Sequence, residues 1–105
     1  MGTLHYGTSD ETCFAIDDET LTHLAAIVVA KLRRQEAFLL SIDSDHGRES
    51  LWIHPASMLR WSYAPGEQPA LDRDRLDAMM RHAHRPGGLS IAAAVPVAAI
   101  ELAAA

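Results

Sequence analysis

The side chains that could do chemistry in this 105-residue chain fall into three groups. Lys31, Arg33 and Arg34 form one cationic run, and Arg81, His82, His84 and Arg85 form another. Such side chains contact phosphate oxygens, so either run is a candidate for holding a nucleic-acid backbone. At the end of a helix the same residues instead offset the negative pole of the dipole. The third group is Arg48, Trp52, His54 and Arg60. Strict alternation puts Leu51 and Ile53 on one face of a strand and Trp52 and His54 on the other. A tryptophan on a polar strand face either packs under a neighbour or presents a contact surface. Beside arginines it could stack the bases of a single strand. At a two-fold axis it would instead sit in a homodimer interface.

Other chemistries find less support. His82 and His84 are two apart, and residues at that spacing point apart on a helix, whereas helical zinc pairs sit four apart. His5, His23, His46 and His54 are scattered. The run from Asp43 to Glu49 lacks the glycine and the terminal glutamate of a calcium loop at their required positions. No G-x-S-x-G and no phosphate-binding P-loop occurs. Glu36 and Glu49 read as partners for Arg33, Arg34 or Arg48. Cys13 is the sole cysteine, so no intrachain disulfide can form, and it reads as a small core or sheet residue. Only the fold could bring it to a histidine. The sequence is therefore read as having no catalytic residue, no cofactor and no metal site.

Length and charge bound the remaining options. A chain of this size supports one domain with one core. We assign residues 1–95 to that domain and 96–105 to an alanine-rich C-terminal tail. The net charge of −5 disfavours non-specific coating of nucleic acid, which needs excess lysine and arginine. No apolar run reaches the roughly 18 residues of a membrane span. The first residues carry neither the basic nor the apolar region of a signal peptide. With a single cysteine, a reducing cytoplasm is the expected compartment.

The elements that must position these residues follow from periodicity and capping. Thr3–Tyr6 and Cys13–Ile16 read as a strand pair joined by turn residues from Gly7 to Glu11. Asp17 is a natural N-cap, and Ile16 and Leu21 fit a hydrophobic staple around it. Leu21, Leu24, Val28 and Leu32 then follow helical spacing, with Ile27 and Val29 widening the stripe. Strands are expected over 37–42, 49–54 and 58–63, with a hairpin loop over 43–47 and a break at Pro55. A second helix follows the cap Asp72, with Leu71 and Leu76 as its staple and Leu76, Met79, Met80 and Ala83 as its stripe. Pro86-Gly87-Gly88 stops it, and a last strand runs from Leu89. The order is β-β-α-β-β-β-α-β. The expected class is α+β, two helices packed on one face of a mostly antiparallel sheet. The other face would carry His5, Ser41, Trp52, His54, Arg60, Ser62 and Ser90.

Several runs taken together carry a family likeness. They are Gly2-Thr3-Leu4-His5-Tyr6-Gly7, Lys31-Leu32-Arg33-Arg34 with Glu36 and Phe38, Gly47-Arg48 leading to Trp52-Ile53-His54-Pro55, and Pro86-Gly87-Gly88-Leu89. Over about residues 1–91 the chain resembles a family of small actinobacterial single-domain proteins of no established function. Members are often labelled "ATP-dependent DNA ligase". Such ligases adenylate the lysine of a Lys-x-Asp-Gly motif, whereas Lys31 here is followed by Leu32, Arg33 and Arg34. The remaining ligase motifs and a second domain have no room in this length. The resemblance implies at most an accessory role in DNA transactions, and transfers no catalytic residue.

The functional expectation is a non-catalytic binding or interaction module that self-associates or binds a protein partner. Its candidate surface is Arg33, Arg34, Arg48, Trp52, His54 and Arg60. Two alternatives stay open: a nucleic-acid-binding module built on the arginine clusters and Trp52, and, more remotely, a ligase-related enzyme. No membrane partner is expected.

Overall fold

The computed structural model describes residues 1–8, 12–45 and 47–93. The expected turn residues Ser9, Asp10 and Glu11, His46 of the hairpin loop, and the C-terminal tail lie outside them. The elements come in the expected order: β1 (Gly2–Tyr6), β2 (Cys13–Ile16), α1 (Asp18–Arg33), β3 (Phe38–Ser44), β4 (Gly47–Ile53), β5 (Leu59–Ser62), α2 (Arg73–Ala83) and β6 (Leu89–Ala92). In place of one sheet there are two of three strands each, ordered β2-β1-β5 and β4-β3-β6. All pairings are antiparallel except β3 with β6. The chain leaves β4 at Pro55, turns through a Ser57 N–H to His54 carbonyl bond of 2.8 Å, and then pairs β5 with β1. That turn carries the chain from one sheet to the other.

Local chemistry accounts for the helix ends. Asp17 accepts the Thr20 N–H at 3.0 Å, and its staple residues Ile16 and Leu21 are fully buried. At the other end Gln35 takes a positive φ of 59°. The Glu36 N–H then donates to the Lys31 carbonyl and the Gln35 N–H to the Leu32 carbonyl, at 3.0 and 3.1 Å. This is a Schellman closure made without the usual glycine. Asp72 caps α2 through the N–H groups of Asp74 and Arg75. Its expected staple is not realised as a buried contact: Leu71 stays 54% exposed beside α1. Gly88 ends the link to β6 at φ 74°, and a Cβ there would overlap the Leu39 backbone. The close approach of two backbones requires glycine at this position.

One core joins both sheets to both helices. Leu4, Phe14, Ile16, Leu40, Ile42 and Ile53 meet Leu21, Leu24, Ile27 and Val28 of α1 and Met79 and Ala83 of α2. Leu51 and Ile53, expected together on one face of a strand, both belong to this cluster. Val29 departs from expectation at 45% exposure, because it sits about 100° round the helix from the buried Val28.

Two buried polar side chains fasten α1 to α2. His23 is 0% exposed; its Nδ1–H donates to the Glu19 carbonyl at 2.7 Å, and its Nε2 accepts the Asp72 N–H at 2.8 Å. One donor and one acceptor assign the neutral Nδ1–H tautomer. Lys31 is 4% exposed, and its Nζ donates to His84 Nδ1 at 3.0 Å. Glu36 Oε1 lies 3.3 Å from the same ammonium, near enough for charge but without a hydrogen-bonding geometry. The Phe38 ring centroid is 6.0 Å away. His23 with Asp72 joins the two helices at their N-terminal ends, and Lys31 with His84 joins them at their C-terminal ends. The helices therefore run in the same sense.

Candidate interaction surface

The six candidate residues fall at three places in the fold. Arg33 and Arg34 are exposed at the end of α1. Lys31, their neighbour in sequence, turns inward and leaves the cationic run. Because the helix C-termini meet, Arg33 and Arg34 share one end of the molecule with Arg81 and Arg85, which are also exposed.

Arg48, Trp52 and His54 belong to β4 and the turn after it. Arg48 is committed to Asp43, opposite it on β3, through Nε to Oδ1 at 2.6 Å and Nη2 to Oδ2 at 3.4 Å. The hydrogen bond to Asp43, and then its charge, raise the arginine's pKa further. Trp52 pairs with Leu39 on the outer face of its sheet and is 56% exposed. Its backbone is held firmly: its carbonyl accepts the Tyr6 hydroxyl at 3.2 Å and the Ser57 hydroxyl at 3.4 Å. His54 is partly buried, and its Nδ1 accepts the Ala56 N–H at 3.2 Å, so the imidazole helps to shape the turn.

Arg60 stands on the other sheet. Its Nη2 donates to His5 Nδ1 at 3.2 Å, which leaves His5 Nε2 to donate to the Ser62 hydroxyl at 3.2 Å. In that polarity the imidazole does not withdraw a proton from Ser62, so the pair is not an activated nucleophile. Cys13 lies opposite His5 in the β1–β2 register and is buried. The expected common face carrying Trp52, His54 and Arg60 is therefore divided between two sheets. Ser41, expected on the open face, is buried and shares a 2.9 Å hydrogen bond with Ser50.

Sequence reasoning missed a groove along α1. Ala25, Ala26, Val29 and Ala30 form one wall, and Tyr63 and Leu71 stand on the other, around a volume of ≈ 600 Å³. Burial, and then the negative charge of Asp18, push the Tyr63 hydroxyl above its ordinary pKa. Val29 was the available signal, since its place on the helical wheel lies well away from Leu24 and Val28.

Among the described residues no cluster of histidine, cysteine or carboxylate side chains could hold a metal ion, and no helix is long and apolar enough to cross a membrane. Comparison with family models matches residues 1–94 to a family described as a domain of unknown function, DUF7882. The chain belongs to the DUF7882 family. No curated protein and no solved structure matches it. The DUF7882 match spans the described fold from β1 to the end of β6. It brings no activity with it.

Proposed function

We propose that this domain is a non-catalytic interaction module that self-associates and presents Trp52 to a protein partner. The observation that carries the reading is the exposure of Trp52 on a rigid frame. A large aromatic held by its own backbone pays little entropy when it is covered, which suits a contact residue. Val29, Tyr63 and Leu71 add exposed apolar surface elsewhere. The working compartment in this reading is a reducing cytoplasm, in keeping with the single cysteine, and the source is an actinobacterium, as the family likeness implies. Any part in DNA transactions would be accessory. Light scattering across a concentration series tests self-association: the mass is expected to rise to that of a dimer in the micromolar range. A monomer at every concentration would refute it.

A nucleic-acid-binding module is the second reading. It is favoured by one observation, the four exposed arginines at the shared C-terminal end of the helices. Three facts weigh against it. The chain is acidic, the helix dipoles put their negative poles at that end, and Arg48 is already neutralised by Asp43. A ligase-related enzyme is the remote third reading.

A further inference from the structure

The groove along α1 carries more than apolar surface. Val29, Tyr63 and Leu71, three of the large apolar side chains left exposed, all line it. Thr22 also lines it and is buried, yet its hydroxyl has no hydrogen-bond partner among the described residues. Arg33 stands at the end of the groove, where a second hollow, lined by Leu32, Leu59 and Trp61, continues it. An exposed valine, tyrosine and leucine around small alanines make a surface into which a helix can pack closely.

The charges along α1 name the helix that fits. Glu19, Thr22, Ala26, Val29 and Arg33 follow alternating spacings of three and four, so they form one seam. Ala26 lies midway between Glu19 and Arg33. Two copies of α1 laid antiparallel about an axis at Ala26 therefore bring each Arg33 beside the partner's Glu19. A parallel arrangement would set like charges together. The antiparallel one also opposes the two helix dipoles favourably. Glu19 already meets Arg75 Nη1 at 3.0 Å on an exposed surface, and a carboxylate can accept a second cation.

We propose that the α1 groove is the face through which two copies of this chain associate, antiparallel across a two-fold axis at Ala26. The proposal rests on the self-association reading above and specifies its surface. A foreign amphipathic helix could enter the same groove but would have no need of the match between Glu19 and Arg33.

A mixing experiment decides the matter. Val29→Glu is expected to abolish the dimer while leaving unchanged the thermal midpoint measured at concentrations where wild type is monomeric, since Val29 is outside the core. Arg33→Glu alone and Glu19→Arg alone should each weaken dimerisation at least about tenfold, by setting like charges together. An equimolar mixture of those two variants should recover the wild-type affinity, because each mixed pair is again oppositely charged. Sedimentation velocity reads all four cases. A wild-type chain that remains monomeric removes this surface together with the self-association reading. A wild-type dimer that persists in Val29→Glu and in both charge variants overturns the surface and leaves self-association standing. So does a dimer that is lost in Trp52→Ala, which would move the interface to β4. Single variants that fail to dimerise alone and also fail when mixed would overturn the antiparallel pairing.

Discussion

Lys31 shows how far a residue's role depends on where its side chain ends. It is the only lysine, and next to Arg33 and Arg34 it suggests phosphate binding. The fold instead buries it against His84, Glu36 and Phe38. A buried ammonium with its partners in place has no route to an α-phosphate. Incubation with labelled ATP and Mg²⁺ should therefore leave no covalent adenylate, and a stable adduct mapped to Lys31 by mass spectrometry would restore the ligase reading. Asp17 makes a second prediction. Burial pushes its carboxyl up, but the hydrogen bonds from Thr20 and the charge of Arg75 outweigh this, so its pKa lies below the ordinary value. A carboxyl with a lowered pKa in the folded state binds fewer protons there than in the unfolded chain. Its stabilisation is thus complete above the unfolded pKa and is lost as pH falls through the folded one. Asp17→Asn should show a shallower loss of stability below about pH 4 in urea titrations. Asparagine is itself a good N-cap, so the variant should differ little from wild type at neutral pH.

The elements owe their positions to a small number of contacts. α1 presents Leu24 and Val28 to the core, and the neighbouring Val29 to the groove. One position along the helix thus separates core from surface. Val28→Asp should unfold the domain, because an unpaired buried charge costs several kcal/mol against a total of roughly 5–15. Circular dichroism checks this, and a cooperatively folding Val28→Asp chain would mean the helix face is misassigned. α2 is less deeply set, and it is held to α1 by His23 at one end and Lys31 at the other. Neither tie shows in hydrophobic periodicity, since both are polar residues on a helix that reads as apolar.

Across the whole molecule, the parallel course of α1 and α2 gathers Arg33, Arg34, Arg81 and Arg85 at one end. Whether that end binds nucleic acid can be measured directly. We expect no micromolar binding of single-stranded DNA at physiological salt, given the net charge of −5 and the helix dipoles. Binding that falls steeply with salt, and whose slope flattens in Arg33→Ala with Arg34→Ala, would favour the nucleic-acid reading. Fluorescence anisotropy over a salt series distinguishes the two outcomes.

Much of this architecture is dictated locally and is legible in the sequence. Asp17 and Asp72 start helices because their carboxylates meet free N–H groups. Leu4, Phe14, Leu40, Ile53 and Ile91 face inward because alternation leaves them no other way to leave water. These relations span a few residues, so their order along the chain reveals them. The division into two sheets is a different matter. It depends on β5 pairing with β1 and β6 with β3, partners far apart in sequence whose choice periodicity does not encode. For the same reason the sequence could propose Trp52 and Arg60 as one surface, while the fold sets them on separate sheets. Leu71 and Tyr63 meet α1 only because the chain between β5 and α2 passes beside it. Local chemistry determined the elements and their inward faces. Long-range pairing alone decided which exposed side chains became neighbours, and the α1 groove is a product of that pairing.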